Sequence, residues 1–369
     1  MIENENIFTA FRLGDLELSH RLVMAPMTRN RAEDDGAPSG LMTEYYTQRA
    51  AAGLIIAEAT TPSRVGLTYP NIPGLYNDAH IAGWRTVTDS VRAAGGHMFV
   101  QLQHGGRVGH PDNSGLIPVA PSAIPLPEGI HTPSGRQGAV TPKELDLAEI
   151  GSTIGDFVTA ARNAIDAGFE GVEIHSANGY LLHQFLASNT NHRTDEYGGS
   201  IDNRIRFTLA VVEAVATAIG PERVGVRLSP GNTTNGIAEN DTDILYPVLV
   251  AALAARPLAY LHLVFADPTS RLFQQLRALW PGVLIANPHL GWGVPLPEDG
   301  GKRAAESLLA AGADLVSLGR SFLANPDLID RLRSKAPLNL VRDAHLMYVG
   351  DAEGYTDYPV LGKGLTDAA

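Results

Sequence analysis

The sequence predicts a (β/α)₈ barrel, in which eight parallel strands alternate with helices and close into one sheet. Short apolar runs rich in β-branched residues alternate along the chain with longer amphipathic stretches, which is typical of repeated βα units. Eight such apolar runs can be counted. A doubly wound open sheet is the alternative, but no Gly-x-Gly-x-x-Gly turn follows the first strand, and eight strands favour closure.

The pattern also places the individual elements. The predicted strands cover residues 22–27, 54–59, 98–103, 171–175, 224–228, 260–264, 283–286 and 315–318. Helical stretches, whose apolar residues recur at three- and four-residue spacings, are clearest at 78–94, 146–167, 201–219, 241–255 and 302–311. Glycine ends several of these helices just before a strand, as at Gly168 and Gly220.

Segments outside these elements predict a hairpin and three long loops. Residues 11–18 alternate in polarity around Gly14-Asp15, which indicates an N-terminal β-hairpin that caps the lower mouth of the barrel. Extended loops are expected after strands three, four and seven, at residues 105–142, 189–200 and 287–301. The first of these loops is rich in Gly, Pro and Ser and is predicted to be irregular. Loops of this length inside a compact domain are usually functional or disordered.

Composition and charge limit the possible classes of function. A chain of 369 residues, 44% of them hydrophobic, is long enough for one large barrel domain, which we expect to span residues 1–369. The absence of cysteine excludes disulfides, thiolate metal sites, iron–sulfur clusters and cysteine nucleophiles. The net charge of −12 argues against nucleic acid or an anionic membrane as a partner. No apolar run approaches the ~20 residues that cross a bilayer, and residues 1–6 lack the features of a signal peptide, so we expect a cytoplasmic protein.

Catalytic groups in such a barrel lie at the carboxyl ends of the strands and in the loops that follow them. Six of the eight predicted strands end in residues suited to binding or catalysis: Pro26, Met27 and Thr28 on the first, Ala59 on the second, Gln101 and Gln103 on the third, His175 on the fourth, Arg227 on the fifth, and Gly319 and Arg320 on the eighth. Barrels commonly bind phosphate between the loops after strands seven and eight, close to Arg320. An ion pair between Arg320 and a surface carboxylate explains that residue equally well.

The end of the fourth strand is the most informative. His175 and Asn178 lie three residues apart across the turn that leaves the sheet, so both side chains can donate to one acceptor oxygen. Tyr180 follows, and a phenol with a pKa of about 10 acts as an acid near neutrality. The alternatives are packing and capping roles for the three residues, or a metal site among the 12 histidines. The sequence has no His-Glu-x-x-His motif, which weakens the metal alternative.

These residues belong to longer motifs, several of them at the strand ends. The motifs are Met24-Ala25-Pro26-Met27-Thr28-Arg29, Gln101-Leu102-x-His104-x-Gly106-Arg107, residues 175–186 (HSANGYLLHQFL), residues 191–204 (NHRTDEYGGSIDNR), residues 319–328 (GRSFLANPDL) and Gly354-Tyr355-Thr356-Asp357-Tyr358-Pro359. Together these motifs resemble the Old Yellow Enzyme family. They extend through nearly the whole chain and fall at several separate strand ends, which makes the resemblance highly specific.

The resemblance implies non-covalent FMN at the barrel mouth, NAD(P)H as the reductant and activated alkenes as substrates. By position, the residues expected around the isoalloxazine ring are Pro26, Met27, Thr28, Ala59, Gln101 and Arg227, and those expected at the phosphate are Gly319 and Arg320. The usual short Gly-rich turn after the seventh strand is missing, and Asn287, followed by Gly301, is the phosphate contact expected there. Thr28 stands where one branch of the family has cysteine, which places the chain nearer the bacterial ene- and nitrate-ester reductases.

The resemblance also implies roles at the substrate. His175 and Asn178 are expected to bind the carbonyl, nitro or imide oxygen, and Tyr180 to protonate the carbon α to the activating group. The pocket-lining positions match Tyr69 and Tyr348, and Gln103 replaces a common tryptophan, which predicts a more polar or wider pocket. Reductant and alkene are expected to use one site in turn, which predicts ping-pong kinetics.

Other functions are compatible with parts of this pattern. A nitrate-ester or nitroaromatic reductase would use the same site, and a flavin-binding barrel without turnover would keep the same binding motifs. A metal- or lysine-dependent lyase of this fold is weaker, because Lys143 and Lys302 do not end strands. We expect the partners to be small molecules and the protein to be a monomer or a homodimer.

Overall fold

The computed structural model describes residues 7–291 and 294–362 of the chain. Eight parallel strands close into a barrel, so the predicted (β/α)₈ fold is confirmed. In order around the barrel the strands are β1 (Leu22–Met24), β2 (Leu54–Thr60), β3 (Met98–Leu102), β4 (Gly171–Ser176), β5 (Val224–Leu228), β6 (Tyr260–Ala266), β7 (Leu284–Pro288) and β8 (Leu315–Leu318), and β8 pairs back with β1. Each overlaps a predicted strand, although β1 ends at Met24 rather than at residue 27.

A helix follows every strand of the barrel. These helices are α1 (Gly40–Thr47), α2 (Asp78–Ala93), α3 (Leu147–Asp166), α4 (Ile201–Ile219), α5 (Thr242–Leu253), α6 (Arg271–Leu279), α7 (Lys302–Ala310) and α8 (Leu328–Ser334), and further short helices form at Pro111–Ser114, Leu181–Leu186 and Arg320–Ala324. The five predicted helices correspond to α2, α3, α4, α5 and α7. Within residues 7–291 and 294–362, no helix has both the length and the apolar character needed to cross a membrane.

Helix α3 shows how local sequence directs the chain into β4. Its first turn is a capping box, in which the Asp146 carboxylate accepts from the Glu149 N–H and the Glu149 carboxylate accepts from the Asp146 N–H. After the helix, Gly168 has a φ of 91°, a left-handed conformation that glycine adopts without a steric penalty. The cap and the turn therefore set the point at which the chain enters β4.

The lower end of the barrel is closed by apolar side chains. Strands Phe11–Leu13 and Leu16–Leu18 form the predicted antiparallel hairpin, and its Leu13 and Leu18 are 3% and 1% exposed. They belong to one cluster with the inward-facing residues Val23, Leu54, Ile56, Phe99, Tyr260, Ile285 and Leu315. The prediction that the hairpin caps the lower mouth is confirmed.

The loop after β3 differs from its predicted irregular form. It contains an antiparallel hairpin of Ile130–Thr132 and Gly135–Gln137, and Val119–Ala120 pairs in parallel with Lys143–Glu144. These strands have only two or three residues, too few to leave a visible alternation in a segment rich in Gly and Pro. The extended loop after β7 includes Trp292 and Gly293, which lie outside the described residues.

The packing of the hairpin predicts a stability effect. Leu18→Ala should lower the free energy of unfolding by about 2–5 kcal/mol, because the change leaves a cavity against the lower layer of the barrel. Urea unfolding followed by circular dichroism measures the difference. Leu340→Ala is the control, since Leu340 is 86% exposed and should change stability by less than about 0.5 kcal/mol. Equal stability of the two variants would show that the hairpin does not stabilise the barrel.

Candidate active site

The ends of β1 and β8 meet at the upper rim of the barrel. Pro26 is buried there, and Met27 and Thr28 are partly exposed. A Cβ atom on Gly319 would lie 3.1 Å from the sulfur of Met27, so the absence of a side chain at Gly319 leaves the room that Met27 occupies. Three residues predicted from the first strand and one from the eighth therefore lie on adjoining parts of the rim.

Arg29 fixes the chain immediately after Thr28. Its backbone N–H donates to Glu58 Oε2 (3.0 Å), and its guanidinium donates to the carbonyl oxygens of Met347 (2.9 Å) and Gly354 (2.8 Å). Burial raises the pKa of Glu58 to about 7, although the hydrogen bond from Arg29 acts in the opposite direction. Arg29 thus ties the first strand end to the C-terminal segment that carries Tyr348.

A shift of register in β2 decides which of its residues faces the rim. Leu54 and Ile56 point into the barrel, and simple alternation would put Glu58 there next. The register shifts between Ala57 and Thr60, and Glu58 instead accepts a hydrogen bond from the hydroxyl of Tyr46 (3.1 Å) on α1. Ala59, 3% exposed, is therefore the β2 residue left on the inner side of the rim.

Gln101 and Arg227 are buried on the inner wall of the barrel, on β3 and β5. The Nε2 of Gln101 donates to Glu173 Oε1 at 2.8 Å. The Nε of Arg227 is buried without a hydrogen-bond partner among the described residues, and burial lowers the pKa of the guanidinium. A buried cation with an unused donor is what a site for a polar or anionic ligand group would provide.

Asn178 is held in a left-handed conformation, with φ 54°, by the loop after β5. Its N–H donates to Ser229 Oγ (2.8 Å), its carbonyl oxygen accepts from Asn235 Nδ2 (2.8 Å), and its side-chain Oδ1 accepts from Asn232 Nδ2 (3.0 Å). Because Asn178 Oδ1 accepts from Asn232, the Nδ2 group is the part of the Asn178 amide that is left to donate.

His175, at the end of β4, is a neutral donor. The side chain is 2% exposed, and its Nδ1 has no hydrogen-bond partner in the part of the chain that the structure describes. Burial lowers the pKa of His175 well below its ordinary value, and the charge of Arg227 lowers it further. The imidazole is therefore uncharged near neutral pH and carries a single N–H.

Tyr180 lies beside His175 with its proton retained. The two rings pack edge to face with centroids 5.1 Å apart, and the hydroxyl oxygen of Tyr180 is 3.4 Å from that of Tyr69. Burial raises the pKa of Tyr180 well above its ordinary value, and Tyr69 raises it further. The turn before Tyr180 is fixed because the Gly179 N–H donates to His183 Nδ1 at 3.0 Å.

The predicted pocket-lining residues lie around these groups. Burial raises the pKa of Tyr348 to about 12, with a further contribution from Tyr180, which places these two phenols near each other. Gln103 is buried, and its Nε2 donates to Thr68 Oγ1 at 3.3 Å. The structure therefore brings Tyr69, Tyr180 and Tyr348 together. One hydrogen of the Gln103 amide is used in the hydrogen bond to Thr68.

The predicted phosphate contacts have partners within the protein. The guanidinium of Arg320 donates to the carbonyl oxygens of Leu290 (3.1 Å), Gly291 (2.6 Å) and Val294 (2.5 Å). No carboxylate of the described residues pairs with it. Asn287 Nδ2 donates to the carbonyl oxygen of Ser317 at 2.8 Å. The Gly301 N–H donates to Asp299 Oδ1 at 3.1 Å, so Gly301 offers no free backbone donor to a phosphate.

The loop after β5 contains site residues that the sequence analysis missed. Ser229, Asn232 and Asn235 contact Asn178 directly. The signal available in the sequence is the run Pro230-Gly231-Asn232-Thr233-Thr234-Asn235, which is rich in turn residues and directly follows a predicted strand. It could mark a functional loop, but it does not say which residue each asparagine contacts.

Comparison with known proteins identifies the type of site. The sequence matches the NADH:flavin oxidoreductase / NADH oxidase family over residues 6–339. The chain belongs to this family. A probable flavin mononucleotide-dependent alkene reductase of Leishmania infantum is 41% identical over 359 residues, which cover 95% of this chain and 96% of the relative. A chanoclavine-I aldehyde reductase of Penicillium roqueforti is 40% identical over 368 residues, which cover 95% of each protein.

Solved structures agree with the assignment of the chain to this flavin oxidoreductase family. The Old Yellow Enzyme homologue from Zymomonas mobilis has a TM-score of 0.90 and 39% identity, covering 96% of this chain and 100% of that one. Morphinone reductase in complex with tetrahydroNAD has a TM-score of 0.89 and 41% identity, covering 98% of this chain and 99% of that one. The resemblance to the Old Yellow Enzyme family, the oxidoreductase class and the FMN cofactor with a nicotinamide reductant are confirmed.

The rim of the flavin oxidoreductase offers buried polar atoms that a polar cofactor could contact. Arg227 Nε and His175 Nδ1 are buried nitrogens without partners among the described residues, and both belong to neighbouring strands at the same end of the barrel. Unpaired buried polar atoms are rare in folded proteins, and a bound ligand that supplies partners accounts for them. The roles of individual residues toward FMN are developed below as a proposal.

The contact between Asn232 and Asn178 predicts the effect of one substitution. Asn232→Asp replaces the donor to Asn178 Oδ1 with a carboxylate, so the Asn178 amide should turn to donate toward the carboxylate and present its oxygen to the ligand. We expect the affinity for a phenol, titrated by its perturbation of the flavin spectrum, to fall at least about tenfold.

Asn240→Asp is the matched control, since it makes the same change at an exposed position of the same loop. Equal phenol affinity in the two variants would show that Asn232 does not orient Asn178.

Proposed function

We propose that this flavin oxidoreductase reduces the C=C bond of activated alkenes, such as α,β-unsaturated carbonyls, imides and nitroalkenes, with NAD(P)H as the reductant. The observation that carries the proposal is the pairing of two neutral donors, His175 and the Asn178 amide, with a phenol that keeps its proton, Tyr180. Two donors polarise the oxygen of the activating group, and the phenol supplies the proton that alkene reduction requires.

Bound FMN would supply the hydride chemistry, which is transfer from NAD(P)H to the alkene carbon β to the activating group. The residues that would hold its ring are Pro26, Met27, Thr28, Ala59, Gln101 and Arg227, and those that would hold its phosphate are Gly319, Arg320 and Asn287. Arg320 would exchange one or more of its contacts with the loop carbonyls for the phosphate, because a guanidinium pairs better with an anion than with a neutral oxygen.

Arg227 would act on the electronic state of the cofactor. It is buried, so its charge is little screened by water, and its Nε is unpaired in the part of the chain described here. A fixed cation beside the pyrimidine ring of FMN favours the state with more negative charge there. The same cation helps to keep His175 neutral, since it lowers the pKa of the imidazole.

His175 and Asn178 would bind and polarise the substrate. Their donors are fixed before the substrate arrives, because His175 is buried in the barrel wall and Asn178 is held by Ser229, Asn232 and Asn235. Donors that are already oriented stabilise developing negative charge on the oxygen without reorganisation.

Tyr180 would then donate its proton to the α carbon. The hydroxyl oxygen of Tyr69 lies 3.4 Å from that of Tyr180, so the Tyr69 hydroxyl can donate a hydrogen bond to the phenolate that remains. Tyr69, Tyr348 and Gln103 would line the substrate pocket, with Gln103 adding polarity.

Similar proteins support this proposal by their names, which include an alkene reductase and several 12-oxophytodienoate reductases. The structure of morphinone reductase with tetrahydroNAD supports a nicotinamide in the site. If NAD(P)H and the alkene occupy the one rim in turn, the kinetics are ping-pong. The location in the cytoplasm, the single domain over residues 1–369 and the monomeric or dimeric state remain predictions.

Half-reactions of the purified protein test the proposed function. The protein should carry FMN, lose its yellow colour with NAD(P)H under anaerobic conditions, and regain the colour when 2-cyclohexenone is added. A nitrate ester and a nitroaromatic compound in the same assay examine the alternative reductase. A protein that binds FMN but is not reoxidised by any alkene of an enone, imide and nitroalkene panel would overturn the proposal.

Tyr180→Phe should separate the two half-reactions. Loss of the proton donor should slow reoxidation by 2-cyclohexenone by about 10²-fold or more, while flavin reduction by NAD(P)H changes by less than about threefold. Stopped-flow absorbance of the flavin measures both rates. Tyr348→Phe is the comparison, a phenol of the same pocket without the proton role, and it should leave the rate of reoxidation within about threefold. Equal slowing of both half-reactions in Tyr180→Phe would remove Tyr180 as the acid.

The pKa shifts predict a flat pH profile for reoxidation. The pKa of Tyr180 is raised, so its acid form persists as the pH rises, and the pKa of His175 is lowered, so its neutral form persists as the pH falls. We expect the rate to vary less than about twofold between about pH 6 and about pH 9. A rate that titrates near the ordinary histidine pKa, about 6.5, would contradict the neutral donor.

A further inference from the structure

A chain of polar side chains crosses the interior of the barrel below the rim. Gln101 Nε2 donates to Glu173 Oε1 (2.8 Å), Glu173 Oε2 lies 2.7 Å from His262 Nδ1, and His262 Nε2 lies 2.8 Å from Ser317 Oγ. These side chains come from β3, β4, β6 and β8. Glu173, His262 and Ser317 are 0% exposed, and Gln101 is 2% exposed.

Buried polar side chains lower the stability of a barrel core unless hydrogen bonds and charges offset their loss of hydration, so their presence here needs an explanation. A buried carboxylate loses its hydration, which destabilises the fold unless partners inside the barrel replace the lost water. Burial acts to raise the pKa of Glu173, but His262, Arg227 and the hydrogen bond from Gln101 together hold it below the ordinary value, and burial lowers the pKa of His262. Glu173 is therefore a carboxylate in the middle of the barrel.

Ser317, His262 and Glu173 have the order of a serine nucleophile, a base and an orienting acid. None of the three has exposed surface, so no substrate bond can reach the Ser317 oxygen. The burial excludes nucleophilic catalysis by this group and leaves a positioning or electrostatic role.

Glu173 lies one layer below the groups proposed to face FMN. It precedes His175 by two residues on the same strand, so both side chains point into the barrel, about 7 Å apart along β4. Its hydrogen bond takes one hydrogen of the Gln101 amide, which fixes how that amide faces the rim. Its charge also acts on Arg227, which lies two residues further along the paired strand β5 than the register partner of Glu173: Arg227 lowers the pKa of Glu173, and Glu173 raises the pKa of Arg227.

We propose that Glu173 is a positioning residue for the FMN site, which orients the Gln101 amide and offsets part of the Arg227 charge. The proposal rests on the proposed function, because it assumes that FMN lies over Gln101 and Arg227. The offset makes negative charge on the cofactor less favourable than Arg227 alone would, so Glu173 lowers the reduction potential of bound FMN. His262, backed by Ser317, holds the second carboxylate oxygen and keeps Glu173 in place.

Glu173→Gln tests the charge. The side chain keeps its length and an oxygen for Gln101, but the offset to Arg227 is lost. We expect the midpoint potential of bound FMN to become more positive by at least about 30 mV. For a two-electron reduction, that shift corresponds to about a tenfold gain in the binding of reduced over oxidised FMN.

Glu173→Asp tests the position and covers the possibility that Glu173→Gln does not fold. The charge remains but the carboxylate is one methylene shorter, so the hydrogen bond to Gln101 is weakened. We expect the affinity for oxidised FMN, from fluorescence titration of the apoprotein, to fall at least about fivefold while the potential stays close to that of the wild type.

Glu170→Gln is the matched control, since it removes a carboxylate next to the lower end of the same strand, where Glu170 accepts from the Met98 N–H at 2.8 Å. It should change neither quantity. Unchanged potential in Glu173→Gln, or unchanged FMN affinity in Glu173→Asp, overturns the proposal. Failure of the wild-type protein to bind FMN would instead overturn the proposed function, so the two failures are distinguishable.

Discussion

Closure of the eight parallel strands puts every strand's carboxyl end at one rim, and the chemistry of the molecule depends on this constraint. The register β4 to β5 sets His175 opposite Arg227, and the pairing of β1 with β8 brings Met27 against Gly319. Met27 and Gly319 lie far apart in the chain and become neighbours because the strands that precede them are paired. At the opposite end, the hairpin and an apolar layer complete the barrel and keep water from its interior.

Arg227 and His175 at the rim differ from the polar chain below them in how their side chains are satisfied. Below the rim, Glu173 and His262 have protein partners on both sides. At the rim, Arg227 Nε and His175 Nδ1 have none among the described residues, while the loop after β5 fixes Asn178 through its backbone and its side chain. The folded chain therefore holds its donors in place before any ligand binds, which is the arrangement that an electrostatic catalyst requires. We propose that these donors serve the flavin chemistry of the family.

The sequence predicted the barrel well because strands buried on both faces leave short apolar runs, as in β1 and in residues 54–57 of β2. It did not predict the short strands after β3, whose two or three residues carry no period. At the site, the residues at the strand ends could be predicted from the sequence, but the hydrogen-bond partners of their side chains could not. The hydrogen bond from Asn232 to Asn178 joins residues 54 positions apart, and the link from Glu173 to His262 joins residues 89 apart. Only the register of the closed sheet brings such pairs together.

The central claim is that His175 and Asn178 bind the substrate oxygen over an FMN ring whose pyrimidine edge faces Gln101 and Arg227. A crystal structure of the protein with FMN and a phenol tests it most directly. The account predicts that the phenol oxygen lies within about 3.2 Å of both the His175 imidazole and Asn178 Nδ2, with the pyrimidine edge of FMN at Arg227. A phenol oxygen that contacts neither side chain, or an FMN ring turned with its pyrimidine edge away from Arg227, would contradict the account.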